Sequence, residues 1–291
     1  MCNLHEYNSF LYFNCNLFFL GSVPLKMIVA VIGGGVIGEA VARALTLNGY
    51  NVVVSEKRIE RVKELEGMGL KATTDNRAVA KQADIVIICV KPKNVKSVLE
   101  EIKEEIRGKI LISLAAAVTI GFIKKLAPEV KVVRAMPNLA IAVGESFTAY
   151  SAEPGLRSEE MEEVIKLLRV FGVVEEIDES YMDAITALSG CAPAYMALIA
   201  EAMIYAGLGV GLERNLAMKI AAQAMIGTGK LILEGRRTPS QILDMVTTPG
   251  GVTIEGLFEL EKSLIRYAFM SAVKAAREKS HIITSALSEG C

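Results

Sequence analysis

Residues 27–45 read MIVAVIGGGVIGEAVARAL. A short apolar run, rich in β-branched residues, passes directly into three glycines, and helical spacing begins at once behind them. Met27–Ile32 has no polar member and therefore no face suited to water, so it reads as a strand buried on both sides. The helix behind it keeps its period through Val36, Ala40, Val41, Ala44 and Leu45 and stops at Gly49. A strand of this kind needs helices on both faces of a parallel sheet, which confines the chain to an α/β architecture.

The glycines carry a second message. Gly33, Gly35 and Gly38 fit G-x-G-x-x-G in the strand–turn–helix setting that gives the pattern meaning. Gly33 makes the tight turn, Gly35 admits a pyrophosphate to the backbone, and Gly38 lets helix and strand close up, with Val36 and Ile37 offering first-turn N–H groups. Dinucleotide binding follows. A second strand, Tyr50–Val54, leads to Ser55-Glu56-Lys57-Arg58. Glu56 occupies the slot of an acid that takes the ribose hydroxyls of NAD, whereas Ser55, Lys57 and Arg58 could hold the 2′-phosphate of NADP; both cofactors stay open, with NADPH slightly favoured. Lys57 and Arg58 read equally well as a solvated helix start.

Strands and helices go on alternating. Arg58–Met68 and Val95–Ile106 read as helices; Ala83–Val90, Lys109–Leu114 and Lys131–Arg134 read as strands. Beyond about Ile177 the strands cease, and residues 180–188, 193–207, 212–234 and 256–280 read as helices. The expected organisation is a doubly wound parallel (Rossmann) sheet over 27–177 and an all-helical dimerisation domain over 178–291. Residues 1–26 read as an extension, disordered or from a misassigned start. Their apolar run from Phe10 to Leu20 is too short to span a bilayer, and no Lys or Arg precedes Lys26. APAYMALIAEAMIYAGLG is apolar all round, with Glu201 its only charge. Such a helix needs cover on every side. A second copy of the chain is the natural cover, so a homodimer is expected.

The net charge of −1 offers neither a nucleic-acid footprint nor an anionic-membrane anchor. The five cysteines form no C-x-x-C pair, which points to a reduced cytoplasm and to no structural metal. Catalytic bases are scarce. The only histidines are His5 and His281, and neither Lys nor His occurs between Lys166 and Lys219. Alcohol–ketone hydride transfer usually needs such a proton partner. A protonated C=N bond is already electrophilic and needs less: a hydroxyl to orient the nitrogen.

Residues 247–257, TTPGGVTIEGL, supply one. The Pro and the two Gly break a helical region and Thr253 follows the break. With ALSGCAPAYMALIAEAM, VVRAMPN and VKP behind the Gly loop, this segment resembles the pyrroline-5-carboxylate reductases, which carry out the last step of proline synthesis. The resemblance runs from Met27 to about Ala286. It implies NAD(P)H-dependent reduction of 1-pyrroline-5-carboxylate to L-proline, an imino-acid substrate, and a homodimer that often assembles into larger rings of dimers.

It also implies roles. Thr253 would hydrogen-bond the ring nitrogen and cap the new helix. Thr248 and the N–H groups from Gly250 through Gly251 and Val252 to Thr253 would hold the substrate carboxylate, a use of consecutive N–H groups that needs no cation. Asn76 would lie near the adenosine ribose, Val90-Lys91-Pro92 along the cofactor, and Ala115-Ala116-Ala117 and Asn138 near the nicotinamide. Glu179 and Asp183 would sit at the domain junction, Glu179 on the cofactor side. Lys91 and Asp183 read equally as surface or interdomain ion pairs. Departures from the family pattern fall at Ala117, Leu139, Ala140, Cys191, Ala192 and Val252, each making the site more apolar or tighter. They leave open a related cyclic imine as substrate, and a dinucleotide-binding regulator without turnover is the remaining alternative. Cys191 is expected as a packing thiol.

Overall fold

The computed structural model describes residues 27–289; the reading of residues 1–26 lies outside them. Eight strands form one sheet: β1 (Ile28–Ile32), β2 (Asn51–Ser55), β3 (Lys71–Thr73), β4 (Ile85–Ile88), β5 (Ile110–Ser113), β6 (Lys131–Met136), β7 (Ser146–Ala152) and β8 (Gly172–Glu176). Their order is β3-β2-β1-β4-β5-β6-β7-β8. Successive side chains of β1 enter different cores. Val29 and Val31 pack with α1 (Val36–Leu47) and α6 (Ser158–Arg169), while Ala30 and Ile32 pack with α3 (Asn76–Gln82), α4 (Pro92–Ile102) and α5 (Ile120–Leu126). Both faces are thus covered, which is why no member of the strand is polar.

The sheet is not wholly parallel. β7 runs antiparallel to β6, with Arg134 opposite Ser151, and β8 then pairs parallel to β7. The seven-residue β7 is polar at Ser146, Thr148 and Ser151, all buried, and so lacks the apolar run that marks the central strands.

Between β1 and β4 the strand order reverses, the switch point at which open α/β sheets form a crevice beyond the carboxyl ends of their strands. Gly33 follows β1 at φ +104°, and a Cβ there would lie 2.8 Å from Val90 Cγ1 across the crevice. A Cβ on Gly38 would lie 1.8 Å from the Gly33 carbonyl oxygen. No side chain fits between α1 and the loop.

Past Glu176 the described chain is helical. A turn at Glu179–Tyr181 and α7 (Met182–Ile185) lead through one π turn at Thr186–Gly190 into α8 (Ala192–Gly209). Next come α9 (Arg214–Leu233), α10 (Pro239–Val246), α11 (Val252–Lys262) and α12 (Ile265–Glu289). The stretch expected as one helix over 256–280 is two, because Leu264 adopts φ +56° and ends the first. No residue of α8 is buried within the single chain, and only Ala217 and Ala221 of α9 are. The two helices cross closely at Gly207, where a Cβ would meet Ala217 Cβ at 2.8 Å.

Gly38→Ala places a methyl against a backbone oxygen that cannot give way. It is expected to destabilise the protein by about 2 kcal/mol or more and to lower the melting temperature by about 5 °C or more. A thermal melt within a degree of the wild type would contradict this close packing.

Candidate active site

The glycine loop is braced from both sides. The Gly34 N–H donates to Glu56 Oε2 (3.1 Å), and the Gly34 carbonyl accepts from Arg61 Nε (2.9 Å). Arg61 also pairs with Glu39 and Glu64. The other oxygen of Glu56 accepts from the Arg58 N–H (3.1 Å) and from Arg58 Nε (3.0 Å). Burial alone would raise the Glu56 carboxyl; the hydrogen bonds and charge of Arg58 and the Gly34 N–H outweigh it and hold the group below its ordinary value. Both oxygens are therefore engaged within the protein, while the Arg58 side chain is 65% exposed.

Ser55 is fully buried and donates to Asn76 Oδ1 (2.7 Å); Asn76 Nδ2 reaches Glu101 (2.9 Å). This pair ties β2 to α3 and turns neither side chain outward. Lys91 precedes α4 as its N-cap and Pro92 is its first residue, a position that costs no hydrogen bond. Cys89, just before Val90, packs against the first core and lies under the loop, 3.3 Å from where a Gly38 Cβ would stand. Burial pushes its thiol up to about 12.

The loop suits a dinucleotide by shape. Gly35, the N-cap of α1, has no atom within 4 Å of a would-be Cβ, so the helix N-terminus opens on free space beside the crevice. First-turn N–H groups there, at Val36 and Ile37, lack intrahelical acceptors and face that space.

At the ends of β5 and β6 the arrangement is tighter. Ala115 and Ala117 are buried, Ala116 partly so. Ala117 holds φ +63°, a left-handed conformation that costs a non-glycine residue about 1–2 kcal/mol. Asn138 is used structurally: its N–H donates to Ser146 Oγ (2.9 Å), its Oδ1 accepts from Ala140 N–H (3.0 Å), and its Nδ2 reaches Ser189 (3.2 Å to the carbonyl). It thereby links the sheet to the helical half. Glu179 Oε1 accepts from the Ile120 N–H (2.8 Å) and from Arg134 Nη1 (3.0 Å). Sequence reasoning passed over Arg134, although a lone Arg inside VVRAM was the available signal. Asp183 accepts from Ser280 (2.7 Å) and Thr284 (3.0 Å) and faces His281, so it fastens α12 to the junction.

The Thr-Pro-Gly-Gly segment forms a turn of type II pattern, with Gly250 at φ +68° and the Gly251 N–H donating to the Thr248 carbonyl (3.0 Å). Two expectations change here. Gly251, not Thr253, is the N-cap of α11, with no side chain capping it. Thr253 is the second helical residue. The Gly251 N–H is consumed by the turn and is no anion donor, which leaves the Val252 and Thr253 N–H groups as orphans of the first helical turn. Among the described residues no hydrogen bond or ion pair joins 248–253 to the cofactor crevice, and Val252 is 90% exposed. Cys191 is half-buried at the N-cap of α8, and its carbonyl accepts from the Tyr195 N–H (3.3 Å).

Residues 179–283 match the family model described as pyrroline-5-carboxylate reductase dimerisation, and residues 28–117 match that of the coenzyme F420-dependent NADP oxidoreductases. The pyrroline-5-carboxylate reductase of Corynebacterium melassecola is 38% identical over 87% of this chain and 97% of its own. The chain belongs to the pyrroline-5-carboxylate reductase family. The Arabidopsis thaliana member is 34% identical over 87% of this chain and 94% of its own. Among solved structures, the Plasmodium falciparum pyrroline carboxylate reductase with NADP bound superposes with a TM-score of 0.81 at 31% identity, covering 89% of this chain and 98% of that one.

The held-down carboxyl of Glu56 sets a pH dependence. Its folded value lies below the ordinary 4.5, so its contribution is complete above that pH and is lost as pH falls through the folded value. Acid unfolding of Glu56→Gln is expected to show a shallower loss of stability below about pH 4.5 than the wild type. Parallel curves would show that the brace on Gly34 carries no such charge dependence.

Proposed function

We infer that this chain reduces the C=N bond of 1-pyrroline-5-carboxylate to L-proline with NADPH or NADH, as a CH–NH oxidoreductase of proline biosynthesis. The observation that carries the reading is whole-length kinship: 38% identity to a pyrroline-5-carboxylate reductase over 87% of this chain and 97% of that relative, with Pro249–Thr253 in place.

The site residues take roles that their surroundings support. The Gly33–Gly38 loop and the start of α1 hold the pyrophosphate, and Val90–Pro92 flank the cofactor. Ala115–Ala117 lie against the nicotinamide, and the bound dihydronicotinamide supplies the hydride. Thr253 holds the ring nitrogen: its hydroxyl accepts from the protonated imine N–H and donates to the lone pair that forms as the nitrogen becomes an amine. Thr248 and the Val252 and Thr253 N–H groups take the substrate carboxylate, where the α11 dipole favours negative charge. Positioning supplies most of the rate, so no titrating side chain is required. NADPH is placed ahead of NADH because the Glu56 oxygens face Gly34 and Arg58, which leaves the exposed Arg58 guanidinium for a 2′-phosphate.

The working unit is a dimer. Leu198, Tyr205, Leu216, Met218 and Ile220 of α8 and α9 are 47–67% exposed in one chain, as a subunit interface requires. Glu179–Gly209 and Arg214–Leu233 are also long and apolar enough to cross a membrane, and the dimerisation match favours protein as their cover. Thr253 stands apart from its own cofactor crevice, so a second subunit would bring the two together. Assembly into a larger ring of dimers and a cytoplasmic location belong to the same reading.

With the full chain, NADPH or NADH oxidation is expected only when pyrroline-5-carboxylate is present, and light scattering is expected to give at least twice the chain mass. Thr253→Ala removes a hydrogen bond to a charged nitrogen and is expected to cut kcat/KM by about 10- to 100-fold. Nucleotide binding without substrate-dependent oxidation would reject the assignment and favour a regulator; oxidation with another cyclic imine alone would move the substrate.

A further inference from the structure

The loop leaving β5 is held in a conformation it does not favour. Ala117 is left-handed and 2% exposed, between Ala115 and Val118, which are also buried. At its far end Thr119 Oγ1 accepts from the Phe122 N–H (3.1 Å), capping α5 from within. The first N–H of α5, on Ile120, finds its acceptor elsewhere: Glu179, 59 residues on, in the first turn of the helical half. The same oxygen holds Arg134, whose side chain is 3% exposed.

Arg134 depends on that carboxylate. It stands on β6 beside Ser113 of β5 and opposite Ser151 of β7. Its Nε and Nη2 have no partner among the described residues, nor has the Ser113 hydroxyl. Glu179 is the one carboxylate paired with this guanidinium among the described residues. A buried guanidinium fixes its counter-charge firmly, since the alternative is an uncompensated charge in the sheet. Glu179 is therefore anchored from below by Arg134 and presents an oxygen to the Ile120 N–H. The anchored oxygen pins the end of the strained loop.

We propose that Arg134 and Glu179 are positioning residues for the nicotinamide half of the cofactor: buried Arg134 and its part-exposed partner Glu179 fix the N-terminus of α5 and, through it, the Ala115–Ala117 loop. Glu179 then acts through the backbone and does not touch the nucleotide. The inference rests on the reading above that puts Ala115–Ala117 against the nicotinamide.

The test compares two ligands on the full chain: whichever of NADPH and NADH the wild type binds more tightly, and its nicotinamide-free half, 2′,5′-ADP or ADP. Dissociation constants come from nucleotide fluorescence and calorimetry, with apo melting curves alongside. Glu179→Asp keeps a charge beside Arg134 but draws the oxygen back by one methylene from Ile120. It is expected to weaken the dinucleotide about tenfold or more and the half-nucleotide less than about twofold. Glu179→Ala is expected to show the larger version of the same split. Adding Ala117→Gly to either variant should recover part of the lost dinucleotide affinity, because glycine adopts the loop conformation unaided. Ala117→Gly alone is measured beside them, and the recovery is read against it. Equal weakening of both ligands, or a lowered melting temperature with both affinities intact, would reduce the pair to a structural role and overturn the proposal. In either case a wild type that still oxidises its cofactor only with pyrroline-5-carboxylate leaves the reading of the reaction standing. A wild type that binds neither dinucleotide rejects that reading and the positioning role together.

Discussion

The contact on which the molecule turns is the approach of α1 to the end of β1. Gly38 lies so near the Gly33 carbonyl that a single carbon on it would stand at 1.8 Å. This fixes where the helix begins, and the beginning of the helix fixes where its unpaired N–H groups point. With the strand order reversing between β1 and β4, that beginning lies at the sheet's switch point. Glu56 and Arg61 then hold the Gly34 peptide by its two polar atoms, so the loop is set before any ligand arrives. Pre-set geometry of this kind spares a bound phosphate the cost of ordering its own cradle.

How much of this was legible differs from element to element. β1 and β4 declare themselves because burial on both faces leaves only apolar residues in their runs. β3 has three residues and β8 is exposed along most of its length, so neither gives a periodic signal. β7 buries hydroxyls and reads as a polar loop. Local chemistry misled at α11, where both Gly251 and Thr253 are acceptable near a helix start and only the backbone path selects the glycine. At the site, the glycine loop and the Thr-Pro-Gly-Gly turn could be read because each acts through neighbours in sequence. Glu179 was placed at the junction by the resemblance alone, and its partners Ile120 and Arg134 could not be read because they lie 59 and 45 residues away.

The helical half obeys a different economy. α8 is apolar around its circumference yet buries nothing within its own chain. Its packing with α9 relies on Gly207 against Ala217, a contact that brings two backbones together but covers only one stripe of each helix. On the dimer reading, the remaining surface is what a second copy covers. On that reading fold and association are one problem, and protomer concentration would enter its stability directly.

Cys89 shows what the close packing at the glycine loop does to chemistry nearby. Burial pushes its thiol up to about 12, so at neutral pH the group stays protonated. Electrophiles and peroxides attack the thiolate, not the thiol. Sulfur beneath a nucleotide site is ordinarily a point of chemical vulnerability. Here the close packing that forbids a side chain on Gly38 also holds the neighbouring sulfur in its less reactive thiol form.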